Sequence, residues 1–170
     1  NLSLHVNKYR SVIDSAIERV ISRGWFVLGP EVDAFEKLFA DYIGTKFCVS
    51  VANGTEGIEL SLKSLGVQTG DKVATVANAG MYSSTAILRI GAIPVFMDVD
   101  ISTKLVTTKE VERVIKSGVK TIIITHLYGL AALNIMEIVE VCNDNNVSLI
   151  EDCAQAHGAK VNGRCVGTFG

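Results

Sequence analysis

Two adjacent carboxylates, Glu151 and Asp152, follow the apolar run 147–150, with Gln155 and His157 a few residues further on. A strand that delivers an acid at its carboxyl end presents that acid to the crevice where open α/β sheets bind ligands. An acid beside a glutamine and a histidine has the groups needed to orient and protonate a nitrogen heterocycle. Asp152 is therefore the leading candidate for chemistry. In the competing reading both carboxylates cap the following segment and face water.

Two earlier loops carry complementary groups. Asn53-Gly54-Thr55 lies between a strand-like segment and a helix-like one. Glycine lets the backbone approach a ligand closely, and the first N–H groups of a helix favour an anion such as phosphate. Ordinary helix capping accounts for the same three residues. In the loop 78–84, Tyr82 has the shape to stack on a flat ring with its hydroxyl hydrated, or simply to pack at a helix start. The adjacent Met81 is the other residue the stacking position allows. His126, in Thr125-His-Leu-Tyr-Gly129, also follows a strand-like run. For it and for His157, a satisfied structural imidazole is the competing reading. A G-x-G-x-x-G signature after the first strand is absent, which counts against a nicotinamide enzyme. Anion cradle, stacking ring and acid together outline a pyridoxal phosphate site. There the acid would keep the pyridine nitrogen protonated, so that the ring draws electrons from the substrate carbon.

These loops need elements to hold them, and the chain alternates helix-like and strand-like segments. Residues 9–21 carry apolar side chains at helical spacing, and Pro30 is placed to open a second helix. Segment 46–51 reads as a short strand, followed by a helix over 56–65 that stops at Gly66. Strands are expected over 72–76, 93–97, 119–125 and 147–150, with Pro94 marking an edge position. Helices fall between them: one through Ala86 and Leu88 to Ile90, one capped by Thr107 or Thr108, and one over 135–142. Such alternation implies a three-layer α/β/α domain with a mostly parallel sheet covered on both faces. Asn162-Gly163, inside 160–165, predicts a hairpin with a type I′ turn.

Composition narrows the class. With 170 residues, 48% of them hydrophobic and 20% charged, the chain can bury one substantial core and is too short for two ordinary domains. A formal net charge of −2 offers nothing to draw nucleic acid or an anionic membrane. No apolar run is long enough for a membrane span, and the first residues lack a basic-then-apolar leader. The four cysteines, widely spaced and without a C-x-x-C pair, argue against a zinc box or a disulfide framework. A cytoplasmic protein with free thiols and no metal is the expectation.

The motifs, in order, resemble the amino-terminal half of the DegT/StrS-type sugar aminotransferases, pyridoxal phosphate enzymes of the aspartate aminotransferase (type I) fold. The matching segments are Gly29-Pro-Glu-Val32 with Phe35-Glu36, Asn53-Gly-Thr55 with Leu65-Gly66, Thr69-Gly-Asp-Lys-Val73, and Gly91-Ala-Ile-Pro-Val-Phe96 with Asp98. His126-Leu-Tyr-Gly129 and Glu151-Asp-Cys-Ala-Gln-Ala-His-Gly158 with Val166-Gly167 complete the series. The resemblance implies the large domain of a PLP-dependent transferase. Gly54 and Thr55 would bind the phosphate of pyridoxal 5'-phosphate through backbone amides. Tyr82 would stack on the ring, Asp152 pair with the pyridinium nitrogen, and Gln155 hydrogen-bond the ring hydroxyl. It further implies amino transfer from L-glutamate to a nucleotide-diphosphate-linked keto-deoxysugar, in amino-sugar synthesis for surface polysaccharides or glycosylated metabolites. Such enzymes are homodimers with shared active sites, the segment 24–30 lying near the shared region.

Two departures stand out. Gly80-Met-Tyr82 replaces the family's usual Thr followed by Phe or Tyr. Glu56 puts an acid near the phosphate, so its side chain would have to point away. The Schiff-base lysine of the family belongs to a slot shortly beyond Gly170, next to a serine, and none of the ten lysines here fills it. The expectation is a fragment, inactive alone, without the lysine segment and the small carboxy-terminal domain. Two alternatives stay open: a pyridoxamine phosphate-dependent deoxysugar dehydratase of the same fold, with histidine in that slot, or a non-catalytic protein that binds a cofactor or nucleotide sugar.

Overall fold

The run Thr121–Thr125 consists only of threonine and isoleucine, and it forms the most buried strand of the protein, β3, with all five residues inside. β-Branched side chains suit a pleated surface packed on both faces. A computed structural model describes all 170 residues, which fall into two compact units, Asn1–Ser50 and Val51–Gly170.

The second unit contains the sheet. Strands β1 (Lys72–Val76), β2 (Ile93–Met97), β3 and β4 (Ser148–Asp152) are all parallel, in the order β2-β1-β3-β4. Pro94 sits in β2 at the sheet's edge, where its missing N–H costs no ladder bond. Strand alternation sorts the side chains onto two faces. Ala74, Val76, Ile122, Ile124 and Leu149 pack with Val111 and Val114 of α5 (Thr108–Lys116) and Ile135, Ile138 and Cys142 of α6 (Ile135–Asp144). Val73, Ile123 and Ile150 face the other way, onto Ile58 and Leu62 of α3 (Gly54–Ser64) and Ala86 and Ile87 of α4 (Tyr82–Arg89). This is the three-layer arrangement with a parallel sheet that the sequence implies. Each fully buried Ile or Leu contributes roughly 1.5–3 kcal/mol, so the sheet is a rigid platform for the loops at its carboxyl ends. Thr107, not Thr108, caps α5, its side chain accepting from the Glu110 N–H. The hairpin β5–β6 (Lys160–Val161, Arg164–Cys165) turns through Asn162 and Gly163 at φ 51° and 81°, the positive angles of a type I′ turn.

The first unit holds α1 (Leu2–Arg23) and α2 (Pro30–Ile43), each closed by a left-handed glycine, Gly24 and Gly44. Arg19 forks onto Glu31 at 2.7 and 2.9 Å and ties the two helices together. The strand expected over 46–51 does not form. No ladder partner pairs with it, Phe47 and Val49 are exposed, and the N–H of Ser50 goes to the Glu36 carboxylate at 2.6 Å instead.

Candidate functional site

β4 runs two residues further than its apolar run suggests, so Glu151 and Asp152 both lie within the strand. A strand's side-chain period of two puts them on opposite faces. Asp152 shares its face with Ile150, the face covered by α3 and α4, and it is the register neighbour of Thr125. Its Oδ1 accepts one N–H, from Ala154 at 3.1 Å, and the carboxylate keeps further acceptor capacity. The capping reading is thus correct for one oxygen of Asp152.

For Glu151 it is wrong. This side chain shares the α5/α6 face with Leu149, is 2% exposed, and accepts four hydrogen bonds. The N–H groups of Phe169 and Gly170 reach Oε1 at 2.6 and 2.8 Å; Gly167 N–H and His126 Nε2–H reach Oε2 at 2.9 and 3.0 Å. Burial alone would raise this carboxyl. The His126 bond and the three backbone N–H groups outweigh burial and hold it below its ordinary value. His126, fully buried, accepts the Ala132 N–H at Nδ1 (3.0 Å), which leaves its proton on Nε2 for Glu151. His126 is therefore a satisfied structural imidazole rather than a border of the crevice. Cys153 completes a trio with His126 and Glu151, with ligand-type atoms within 4.8 Å of one another. Every one of these groups is already engaged, and the Cys153 thiol, pushed up to about 12 by burial and then by Glu151 and Asp152, stays protonated.

Gln155 is exposed and lies just beyond Asp152. Its Oε1 accepts the Tyr128 N–H at 3.3 Å and its carbonyl accepts the Gly129 N–H at 2.8 Å, so the side-chain NH₂ remains as a donor. Gly54 and Thr55 open α3, which packs Ile58 and Leu62 against the sheet face that carries Val73, Ile123 and Ile150. Asn53 caps it, accepting the Glu56 N–H at 3.0 Å, and this leaves the earlier N–H groups of the turn unclaimed. The Glu56 carboxylate turns back to accept the Ala52 N–H at 2.8 Å. Tyr82 is the first residue of α4 and is exposed; its ring folds across Gly80, where an added Cβ would come within 2.5 Å of Tyr82 Cε2. Met81, one residue earlier, is 76% exposed.

Three further groups escaped the sequence reading. Thr75, Ser83 and Thr125 are buried, and their hydroxyls have no hydrogen-bond partner. By alternation Thr75 and Thr125 share the face of Asp152, and Ser83 belongs to the first turn of α4, which covers it. Counting by twos from Val73 in β1 and Ile123 in β3 is the signal that would have found the two threonines. A separate cleft of about 690 Å³ opens near the amino ends of α5 and α6, lined by Leu105, Thr107, Leu130, Leu133 and Asn134, and holds none of the predicted site residues.

The family model for the DegT/DnrJ/EryC1/StrS aminotransferases matches residues 8–170. The chain belongs to that family. Among members of the DegT/DnrJ/EryC1/StrS group it is similar to dTDP-3-amino-3,6-dideoxy-alpha-D-galactopyranose transaminase of Aneurinibacillus thermoaerophilus. They are 40% identical over 163 residues, covering 96% of this chain and 45% of the relative. The X-ray structure of DesV from S. venezuelae superposes with a TM-score of 0.93 at 32% identity, over 98% of this chain and 45% of DesV. A GDP-4-keto-6-deoxymannose-3-dehydratase, solved with a trapped PLP-glutamate geminal diamine, superposes with a TM-score of 0.85 at 26% identity, over 92% of this chain and 42% of its own. The chain thus spans less than half the length of these relatives. No helix in it is long and apolar enough to cross a membrane.

Proposed function

We propose that the full protein is a pyridoxal 5'-phosphate-dependent aminotransferase that moves an amino group from L-glutamate to a nucleotide-diphosphate-linked keto-deoxysugar. On this reading residues 1–170 are the amino-terminal part of its cofactor-binding large domain, and the Schiff-base lysine and a small closing domain are supplied by further sequence. The carrying observation is the face of the sheet that holds Asp152: an acid with spare acceptor capacity beside three buried hydroxyls that lack partners. Buried polar groups left unpaired by the fold are unusual and call for a ligand or water.

The residues fit a pyridoxal phosphate. Unclaimed N–H groups at the start of α3 suit its phosphate, with Gly54 and Thr55 in the first turn. The spare acceptor capacity of the Asp152 carboxyl suits a pyridinium N–H, the free NH₂ of Gln155 suits the ring's hydroxyl oxygen, and Tyr82 offers a ring to stack. When bound, the cofactor supplies an electron sink for the substrate's α-carbon. The chain's part is to bind and orient: Asp152 holds the proton at the ring nitrogen, and Gln155 fixes the ring's angle about that axis. The reading carries with it a cytoplasmic homodimer serving amino-sugar synthesis for polysaccharides.

The test is Asp152→Asn in the protein expressed from its natural reading frame. The variant should still bind pyridoxal 5'-phosphate, while amino transfer falls on the order of 10²-fold or more, the usual weight of a positioned proton holder. Undiminished turnover would refute the role of Asp152. The dehydratase's likeness in fold keeps a second reading in view, with pyridoxamine phosphate as the cofactor. Histidine rather than lysine in the slot beyond Gly170 would decide for it.

A further inference from the structure

We infer that Glu151 and His126 form a positioning clamp for the candidate cofactor site, fixing β4, the loop after β3 and the chain segment 167–170 in one arrangement. The inference rests on the cofactor reading above and adds two residues that do not touch the cofactor.

The geometry starts from one carboxylate and four donors. Three of the donors are backbone N–H groups of a single short segment, at Gly167, Phe169 and Gly170. That segment therefore takes its place against β4 by binding a side chain, since no ladder bond joins it to the strand. The fourth donor, His126 Nε2–H, belongs to the loop that leaves β3. This loop holds the candidate site through its backbone. His126 N–H donates to the Asp152 carbonyl at 2.9 Å, Tyr128 N–H to Gln155 Oε1 at 3.3 Å, and Gly129 N–H to the Gln155 carbonyl at 2.8 Å. Ala132 N–H locks the imidazole from its other side. A strand whose residue 151 is pinned on one face cannot roll about its axis, so residue 152 is aimed on the other.

Substitution with glutamine isolates this role. Glu151→Gln keeps the volume but replaces one acceptor oxygen with an NH₂ group. Either orientation sets that group against two N–H donors, so two of the four bonds are lost whichever way the amide turns. Glu151→Asp keeps the charge on a shorter side chain.

Both variants would be made in the protein expressed from its natural reading frame. Deuterium exchange of peptides spanning 167–170 would be measured without cofactor, and pyridoxal 5'-phosphate affinity by absorbance titration. In Glu151→Gln, exchange at 167–170 should rise and Kd weaken by roughly tenfold each, the scale of one charge-assisted hydrogen bond. Exchange in β1 and β3 should stay as in the parent, and Glu151→Asp should fall between the two. A lower melting temperature with unchanged Kd would make the pair a stability device alone and overturn the inference. Unchanged exchange at 167–170 would overturn it too. If Glu151→Gln does not fold, Glu151→Asp decides: parental Kd in that variant also overturns the clamp. Failure of the parent protein to bind the cofactor would instead remove the functional reading, and the exchange data, which need no cofactor, tell the two failures apart.

Discussion

Glu151 and Asp152 are neighbours of the same chemical type, and the strand between them divides their work. Asp152 keeps acceptor capacity on the α3/α4 face, whereas Glu151 spends all of its own on four donors inside the protein. The difference is visible in acid. The folded Glu151 carboxyl titrates below its ordinary value of 4.5, because His126 and three backbone N–H groups overcome the penalty of burial. In the unfolded chain it returns to the ordinary value. The stability it lends is therefore complete above pH 4.5 and is lost as the pH falls through the lower, folded value. Thermal unfolding measured across this acid range should show the melting temperature dropping below pH 4.5 in the parent protein. Glu151→Gln, already less stable at neutral pH, should lose that part of the slope. Parallel curves for the two proteins would mean that other carboxylates govern the acid transition.

At the scale of elements, legibility follows from how local the forces are. β3 declares itself through Thr121–Thr125, and the β5–β6 hairpin through Asn162-Gly163, because β-branching and positive φ act within a few residues. The cap of α5 is equally local. Thr107→Ala should cost about 1 kcal/mol in a urea titration, with the Glu110 N–H left without its side-chain acceptor; an unchanged midpoint would deny the cap any weight. Where pairing is not local, the sequence misleads. Residues 46–51 have strand composition, yet a strand needs a neighbour, and Ser50 gives its N–H to Glu36. The apolar run 147–150 alone marks a strand that stops before the carboxylates, whereas β4 includes both. It continues because donors distant in sequence meet Glu151. The site divides in the same way: Asp152, Gln155 and the start of α3 are legible from type and spacing. Thr75, Ser83 and Thr125 show only once the two faces of the sheet are known.

Across the whole molecule, much apolar and hydrogen-bonding surface is left uncovered. β4 is an edge strand of the sheet, with one side of its backbone outside the ladder. None of the residues of α1 is buried, and Val12, Ile17 and Ile21 along it are more than half exposed, as are Trp25, Phe26, Val27 and Leu28 after it. Soluble monomers rarely leave contiguous apolar surface or a long parallel edge unprotected, because either one recruits another chain. The relatives this chain matches are more than twice as long. Residues 1–170 expressed alone should therefore self-associate and bind a hydrophobic dye. The protein from the full reading frame should bind far less dye for each copy of this segment. Sedimentation across a concentration series, with dye fluorescence on the same samples, compares the two. A monomeric, dye-silent 1–170 would show that these surfaces are tolerated in water and that the segment is complete as a folding unit. Association of 1–170 alone, with dye binding that falls as the concentration rises, would show that a second copy covers these surfaces.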